Sequence, residues 1–306
     1  PPVSSAGLLR RQPLVSVAQG QTAARNNMTT SWTYNLAGQP LTESYSGGTL
    51  SGYSVSRTND NAMRVGRVQL KQGATVLGGA RYGYDTAGRL QAVTNDLAAG
   101  QVARYGYDAN SVLVKTVTFT NGAGGGLVTT KAYDKLNRLG TISSRAYGAS
   151  SPGVVAGFDY QYNAANQRTR AQLADGSYWV YQYDELGQVT SGRRYWADGT
   201  DMAGQQFDYA FDDIGNRTAS GGRASAVSAY TRNYLNQYTQ RTVAGTVDVL
   251  GVANPGANVT VNGNMASRKG EYFHYPLSVA NATAQYPAIT TISQYGTDAT
   301  NTGRVY

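Results

Sequence analysis

Tyr82-Gly83-Tyr84-Asp85-Thr86-Ala87-Gly88-Arg89-Leu90, YGYDTAGRL, is the cleanest copy of a stretch that returns along the chain. Weaker copies are SWTYNLAGQ from Ser31, RYGYDANSV from Arg104, KAYDKLNRL from Lys131, YQYNAANQR from Tyr160, VYQYDELGQV from Val180 and DYAFDDIGNR from Asp208. The second aromatic serves as anchor: Tyr34, Tyr84, Tyr107, Tyr133, Tyr162, Tyr183 and Phe211, at gaps of 50, 23, 26, 29, 21 and 28. The first gap is about two periods, and a period in this range marks stacked supersecondary units.

Tyr82 and Tyr84 are two residues apart, so both rings leave one face of a strand. Asp or Asn follows every anchor, at Asn35, Asp85, Asp108, Asp134, Asn163, Asp184 and Asp212. Such a residue opens a type I turn by hydrogen-bonding the backbone two residues on. Three residues later come Gly38, Gly88, Ser111, Asn137, Asn166, Gly187 and Gly215. Gly and Asn accept the left-handed conformation that closes a hairpin with a bulge; only Ser111 breaks the rule. Strand sequence then resumes, as in Arg89–Val93. The unit reads as a β-hairpin.

Composition agrees. Among 306 residues there are 37 Gly and 24 Tyr but only five Lys and three Glu, and charged residues make up 14%. No stretch carries a long apolar pattern at helical spacing with a cap. The fold class read from the chain is all-β. The net charge of +8 invites a nucleic-acid partner. The 21 Arg are scattered, however, with Arg10-Arg11 and Arg193-Arg194 the only close clusters. Scattered charge reads as a solvated face, and Arg89, Arg138 and Arg217 recur at the turn, where they would stack on Tyr or pair with an Asp of a neighbouring hairpin. There is no cysteine, so no disulfide contributes and the redox compartment is not decided. No apolar run has the length that spans a bilayer as a helix. The chain opens Pro-Pro-Val-Ser-Ser without Met, which reads as a segment of a longer protein with its targeting signal elsewhere.

The strings YGYDTAGRL, KAYDKLNRL, YQYDELGQV and AFDDIGNRT resemble the YD repeats of the Rhs family, which includes teneurins and the shell subunits of insecticidal Tc toxins. The resemblance covers about Ser31 to Gln240. It implies hairpins joined into one long sheet that spirals into a hollow shell or barrel, enclosing a toxin domain or displayed on the cell surface. Rhs proteins that release a toxin carry an aspartate-based self-cleavage motif containing Asp-Pro. No Asp-Pro occurs in this chain, so that activity is not carried over.

Three regions follow. Residues 1–30 read as a lead-in strand or linker, with a possible strand at Leu14–Ala18. Residues 31–242 form the hairpin region. Within it a decayed copy lies near Asp60, with Gly66-Arg67-Val68 imitating the strand after the turn and extra residues blurring the motif. Asn121-Gly122, Asp175-Gly176 and Asp198-Gly199 mark the hairpins' opposite ends. The last copy, Tyr234–Tyr238, is truncated and lacks the Asp. Residues 243–306 are β-rich, with Asn254-Pro255-Gly256 and Asn262-Gly263 as turns; NPGANVTVNG resembles Ig-like modules of bacterial surface proteins, at about half the size of that fold.

Candidate chemistry is sparse. His274, the single histidine, would need a nucleophile and an orienting carboxylate to act as a base, and one His without Cys makes a zinc site unfavourable. The Asp residues are accounted for by turns rather than by a glycosidase pair. Asp198-Gly199-Thr200-Asp201 lacks the remaining ligands of a calcium loop. Neither cofactor nor metal is expected. The aromatics are ambiguous: Trp179, Tyr195 and Trp196 could present a platform for stacking glycans, or form cross-strand ladders inside the sheet.

The leading expectation is therefore a non-enzymatic structural protein, part of an Rhs/YD-repeat shell or surface fibre, extracellular or on the cell surface and exported from a bacterium. Its partners would be the rest of a parent chain, neighbouring copies, or an enclosed toxin domain. The alternative is an adhesin-like module that binds carbohydrate.

Overall fold

A computed structural model of the chain describes residues 15–19, 28–148, 153–222, 225–280, 282–296 and 301–305. The expected lead-in strand or linker at 1–30 falls partly outside them; within it, Ser16–Gln19 is a strand. The protein is nearly all β, with one 3-10 turn at Gly48–Leu50 among the described residues. It divides into two compact units, Pro1–Ala156 and Gly157–Tyr306.

In the first unit eleven strands run from Ser16–Gln19 to Leu139–Ala146, and each pairs antiparallel with the next. Eight further strands, from Val154–Tyr162, which begins in the first unit and continues into the second, to Tyr238–Arg241, repeat the pattern. Sequence-adjacent pairing is what short turns dictate, because two-strand ribbons bury too little alone and must be extended sideways. The barrel among the resemblance's implications is not formed: the sheet is not closed. No pairing among the described residues joins the first strand of either unit to its last.

Every motif hairpin carries a register shift at its anchor. Gly83 faces Ala92 but Tyr84 faces Leu90; Gln182 faces Ser191 but Tyr183 faces Val189. The shift is the bulge that the left-handed residue creates, and it adds twist at one fixed place per hairpin. Gly88 adopts φ 81°, a region in which a Cβ is strained.

Two boundaries read from sequence change. The hairpin at Asp60 has no extra residues: strand Tyr53–Asn59 turns through Asp60–Arg64 into Val65–Gln72, with Met63 left-handed at φ 60°. Asn59 takes the anchor position, 25 residues after Tyr34 and 25 before Tyr84. The copy near Tyr234 is complete as well: Asn233 does the work of the Asp and Asn236 is left-handed at φ 59°. At the Ser111 copy the loop is one residue longer and Asn110 takes the left-handed position, φ 53°.

Within the hairpin region few side chains are buried, among them Val102, Ala171, Met202, Gln69 and Ser191. The apolar core is elsewhere. Strands Thr246–Val252, Tyr272–Ser278 and Ser267–Lys269 make one small sheet. Asn258–Val261, Asn264–Met265, Ile289–Gln294 and Asn301–Val305 make another. Val259 and Val261 are fully buried between them with Ala266 and Phe273, flanked by Val249, Tyr275 and Ile289. The described residues between 246 and 305 are thus a two-sheet packing of the sandwich kind.

Candidate functional site

The repeated turn is the most elaborate polar construction in the molecule. In each copy but the longer one at Asp108 the Asp or Asn backbone N–H donates to the carbonyl four residues on, as from Asp85 to Arg89 at 2.9 Å, and the left-handed residue donates back, as from Gly88 to Asp85 at 2.9 Å; at Asp108 the two bonds run to Leu113 O and from Ser111 N–H. The side-chain Oδ1 accepts from backbone N–H groups two and four residues ahead: Ala37 and Gln39 onto Asn35, Ala62 and Arg64 onto Asp60, Leu136 and Arg138 onto Asp134, Leu186 and Gln188 onto Asp184, Ile214 and Asn216 onto Asp212. Asp85 accepts from Arg89 and Asn163 from Gln167 in the same way. These bonds satisfy the N–H groups that a turn turns away from the ladder. Asp108 is the exception: it holds Lys115 at 3.3 Å, and the Ser111 hydroxyl accepts from Leu113 N–H instead.

The second side-chain atom follows a rule inside the chain. Where the turn opens with Asp and has Arg four residues on, that Arg donates its Nε to Oδ2: Arg64 to Asp60 at 2.8 Å, Arg89 to Asp85 at 2.8 Å, Arg138 to Asp134 at 2.7 Å; at Asp212 the residue is Asn216, whose amide donates to Oδ2 at 3.0 Å. Where it opens with Asn, the amide donates to a Gln: Asn35 to Gln39 at 2.9 Å, Asn163 to Gln167 at 2.6 Å, Asn233 to Gln237 at 2.9 Å. Both pairings match donor to acceptor. Asp184 with Gln188 is the mismatch: a carboxylate cannot donate, and Gln188 Oε1 is buried without a partner. The expectation that turn Arg residues would pair with an Asp of a neighbouring hairpin is corrected for Arg89 and Arg138, whose carboxylates lie in their own turns. Pairing between hairpins does occur from Arg232 to Asp212 at 2.5 Å.

Stacking joins neighbours. The Arg64 guanidinium lies 4.2 Å from the centre of the Tyr84 ring one hairpin on, and Arg89 lies 4.3 Å from that of Tyr107. The anchor hydroxyls then reach back to the residue that opens the preceding return strand: Tyr84 to Val65 O at 2.9 Å, Tyr107 to Leu90 O at 2.6 Å, Tyr133 to Val114 O at 2.9 Å and Tyr183 to Arg168 O at 2.8 Å. Phe211 has no hydroxyl, so its copy lacks this tether. Ring face and hydroxyl together cover a sheet that has little apolar core, which is why Tyr is the repeated aromatic.

Local bonding sets the acidity of the turns. The Arg64 backbone N–H and then its guanidinium lower the Asp60 carboxyl. At Asp85 burial pulls upward and is outweighed by the Arg89 N–H and guanidinium together. At Asp134 the Arg138 N–H leads, against burial. Asp212 is lowered to about 2, first by the Asn216 amide, with burial opposing and Arg232 helping. Sequence gave no hint of Asp96, whose side chain is 1% exposed: Arg67 and Arg81 both pair with it, Gln69 donates to it, and they hold its carboxyl well below the ordinary range.

The three rings considered as a glycan platform are not brought together. Trp179 faces Arg194 across the ladder while Tyr195 faces Tyr178, so Trp179 and Tyr195 leave opposite faces. Trp179 stacks on Tyr181 and Phe207 at 6.3 and 6.1 Å, and Tyr195 on Tyr178 at 5.4 Å. Trp196 meets the edge of Tyr272 at 5.6 Å, with Lys269 5.5 Å from its ring centre. Lys269 also pairs with Asp198 at 2.5 Å, and the Tyr272 hydroxyl donates to Ala203 O at 2.6 Å. These contacts tie the sandwich to the hairpins beside it within the second unit.

His274 lies 2.6 Å from Asp248 through Nε2. Among the described residues no Ser, Thr or Tyr hydroxyl is hydrogen-bonded to its ring, and no group of three His, Cys, Asp or Glu could hold a metal. Likewise, no helix among them is long and apolar enough to cross a membrane.

No protein-family model matches the chain, and no curated protein matches it. Solved structures similar to it include the crystal structure of TcdB2-TccC3-Cdc42, at 14% identity and TM-score 0.47 over 90% of this chain and 15% of that one. The Photorhabdus luminescens Tc holotoxin pore is similar at 13% identity and TM-score 0.44, over 89% and 14%. A porin-like protein from Bacteroides uniformis is similar at 10% identity and TM-score 0.28, over 65% and 90%. The chain spans about one seventh of the length of the toxin chains it matches.

Proposed function

We propose that this chain is a section of wall in an Rhs/YD-repeat shell, exported from a bacterium, whose role is mechanical rather than catalytic. The observation that carries this reading is the repeated tether, in which an anchor Tyr reaches back to the strand opened by the previous turn at Tyr84, Tyr107, Tyr133 and Tyr183. Such a tether fixes the angle between successive hairpins, so bulge-derived twist accumulates in one sense rather than averaging out. A sheet with most side chains half-exposed is poorly stabilised alone. It gains by enclosing something or by meeting more of its own kind, so the partners are the rest of a parent chain and, inside the wall, a cargo domain of the toxin type. A surface fibre built from the same wall is the second form this reading allows.

Small-angle X-ray scattering of the full-length protein tests it. A hollow particle gives regular form-factor minima and a pair-distance distribution skewed to long distances. A scattering curve of a rod would favour the fibre, and one of a compact solid particle would end the wall reading.

A further inference from the structure

We propose that a cleft between the last hairpins and the sandwich, within the second unit, binds an acidic sugar of the uronate class. The inference does not depend on the wall reading. The cleft holds about 350 Å³, at the small end of the ~300–1,000 Å³ of ligand pockets, and it is lined by Tyr209, Arg217, Ser220, Tyr230, Arg241 and Asp248 among others.

Its charge is unbalanced. Nearby Arg193 and Arg232 are each paired with an aspartate, at 2.6 and 2.5 Å. Arg217 and Arg241 have no carboxylate partner among the described residues; both instead lie over tyrosine rings. Arg217 is 4.9 Å from the ring centre of Tyr209 and 5.9 Å from that of Tyr230, and Arg241 is 5.4 Å from Tyr230. A ring contact of this kind uses the face of the guanidinium and not its N–H donors, of which Arg217 gives one to the Tyr230 hydroxyl and keeps others. Two guanidinium groups lining one cleft suit a carboxylate, which accepts from a fork two bonds at once. The Ser220 hydroxyl, 3.0 Å from the Tyr230 hydroxyl, is the first cause of a pKa below the ordinary value for that phenol, and the two guanidinium groups add to the effect against burial. The field in the cleft thus favours negative charge.

Asp248 lines the same cleft and carries the opposite sign, held at 2.6 Å by His274. An anion beside it would be repelled, whereas a hydroxyl would donate to it. The cleft therefore asks for one ligand with a carboxylate toward Arg217 and Arg241 and a hydroxyl-bearing end toward Asp248. A hexuronate ring carries both. Inorganic sulfate or phosphate supplies only the first.

Calorimetric titration of the full-length protein with a hexuronate disaccharide, its methyl ester and sodium sulfate tests the assignment. Saturable binding of the uronate is expected, with the ester and sulfate each weaker by about tenfold or more, the size of one lost charged hydrogen bond. Arg241→Gln, on an exposed strand, is expected to weaken the uronate by a similar factor with an unchanged melting temperature, and Asp248→Asn to weaken the uronate but not sulfate. The proposal fails if the uronate does not bind, if the ester or sulfate binds as tightly, or if folded Arg241→Gln binds unchanged.

Discussion

The Tyr107 hydroxyl donates to the Leu90 carbonyl oxygen at 2.6 Å, joining the anchor of one hairpin to the residue that opens the return strand of the hairpin before it. The same ring lies under the Arg89 guanidinium, so one side chain serves two links between neighbours. Tyr107→Phe removes the hydrogen bond and keeps the ring. It is expected to lower the unfolding free energy by about 1 kcal/mol, while Tyr107→Leu, which also loses the stack, costs more. Urea unfolding measures both; equal stability of wild type and Tyr107→Phe would show that the tether contributes nothing.

One substitution should have opposite signs at two turns. Asp85→Asn weakens the acceptor for Arg89 Nε and is expected to lower the melting temperature. Asp184→Asn supplies the amide donor that the buried, unpartnered Gln188 Oε1 lacks, which reproduces the Asn163–Gln167 pair. It is expected to raise stability by about 1 kcal/mol. Thermal melts of the two variants decide; a fall in both would mean that the Asp-with-Arg and Asn-with-Gln rule is not energetic.

Stability should fall in acid with a defined window. Asp60, Asp85, Asp134 and Asp212 all have folded values below the ordinary 3.8, Asp212 at about 2. Depressed folded values mean that the ionised turns favour the native state. Their contribution is complete above the unfolded value and is lost as pH falls through the folded ones. The unfolding free energy is expected to be flat from pH 7 to about 5 and then to decline from about 4 to about 2. Asp212→Asn is expected to make that decline shallower; an unchanged acid slope would contradict the assignment.

Met63 is a side-chain-bearing residue at φ 60° in a position that Gly38, Gly88, Gly187 and Gly215 fill elsewhere. Met63→Gly relieves a strain of ~1–2 kcal/mol against a chain-entropy cost of ~0.5–1 kcal/mol. The expected outcome is a small gain in stability by chemical denaturation. A loss of about 1 kcal/mol or more would mean that the Met63 side chain packs in a way that its exposure does not indicate.

The hairpins were legible because their signal is local. An Asx oxygen and a left-handed residue three positions on close a turn whatever surrounds them, as at Asp85 and Gly88. Two copies read as decayed and truncated, at Asp60 and Tyr234, because the aromatic anchor served as the key. Asn59 and Arg232 stand in its place, yet Asp60 with Arg64 and Asn233 with Gln237 keep the four-residue spacing that marks the turn. The reach of each Tyr to the preceding hairpin, the Asp96 cluster and the seat of Trp196 against Tyr272 depend on how hairpins are set beside one another. Trp196 and Tyr272 are 76 residues apart, and no local pattern couples them.

Cryo-electron microscopy of the full-length assembly tests the central claim, a tethered hairpin wall that encloses a space, most directly. A closed hollow particle with a wall one sheet thick and separate density inside is the predicted result. A solid particle, with the hairpin sheet buried against other domains and no lumen, would contradict it.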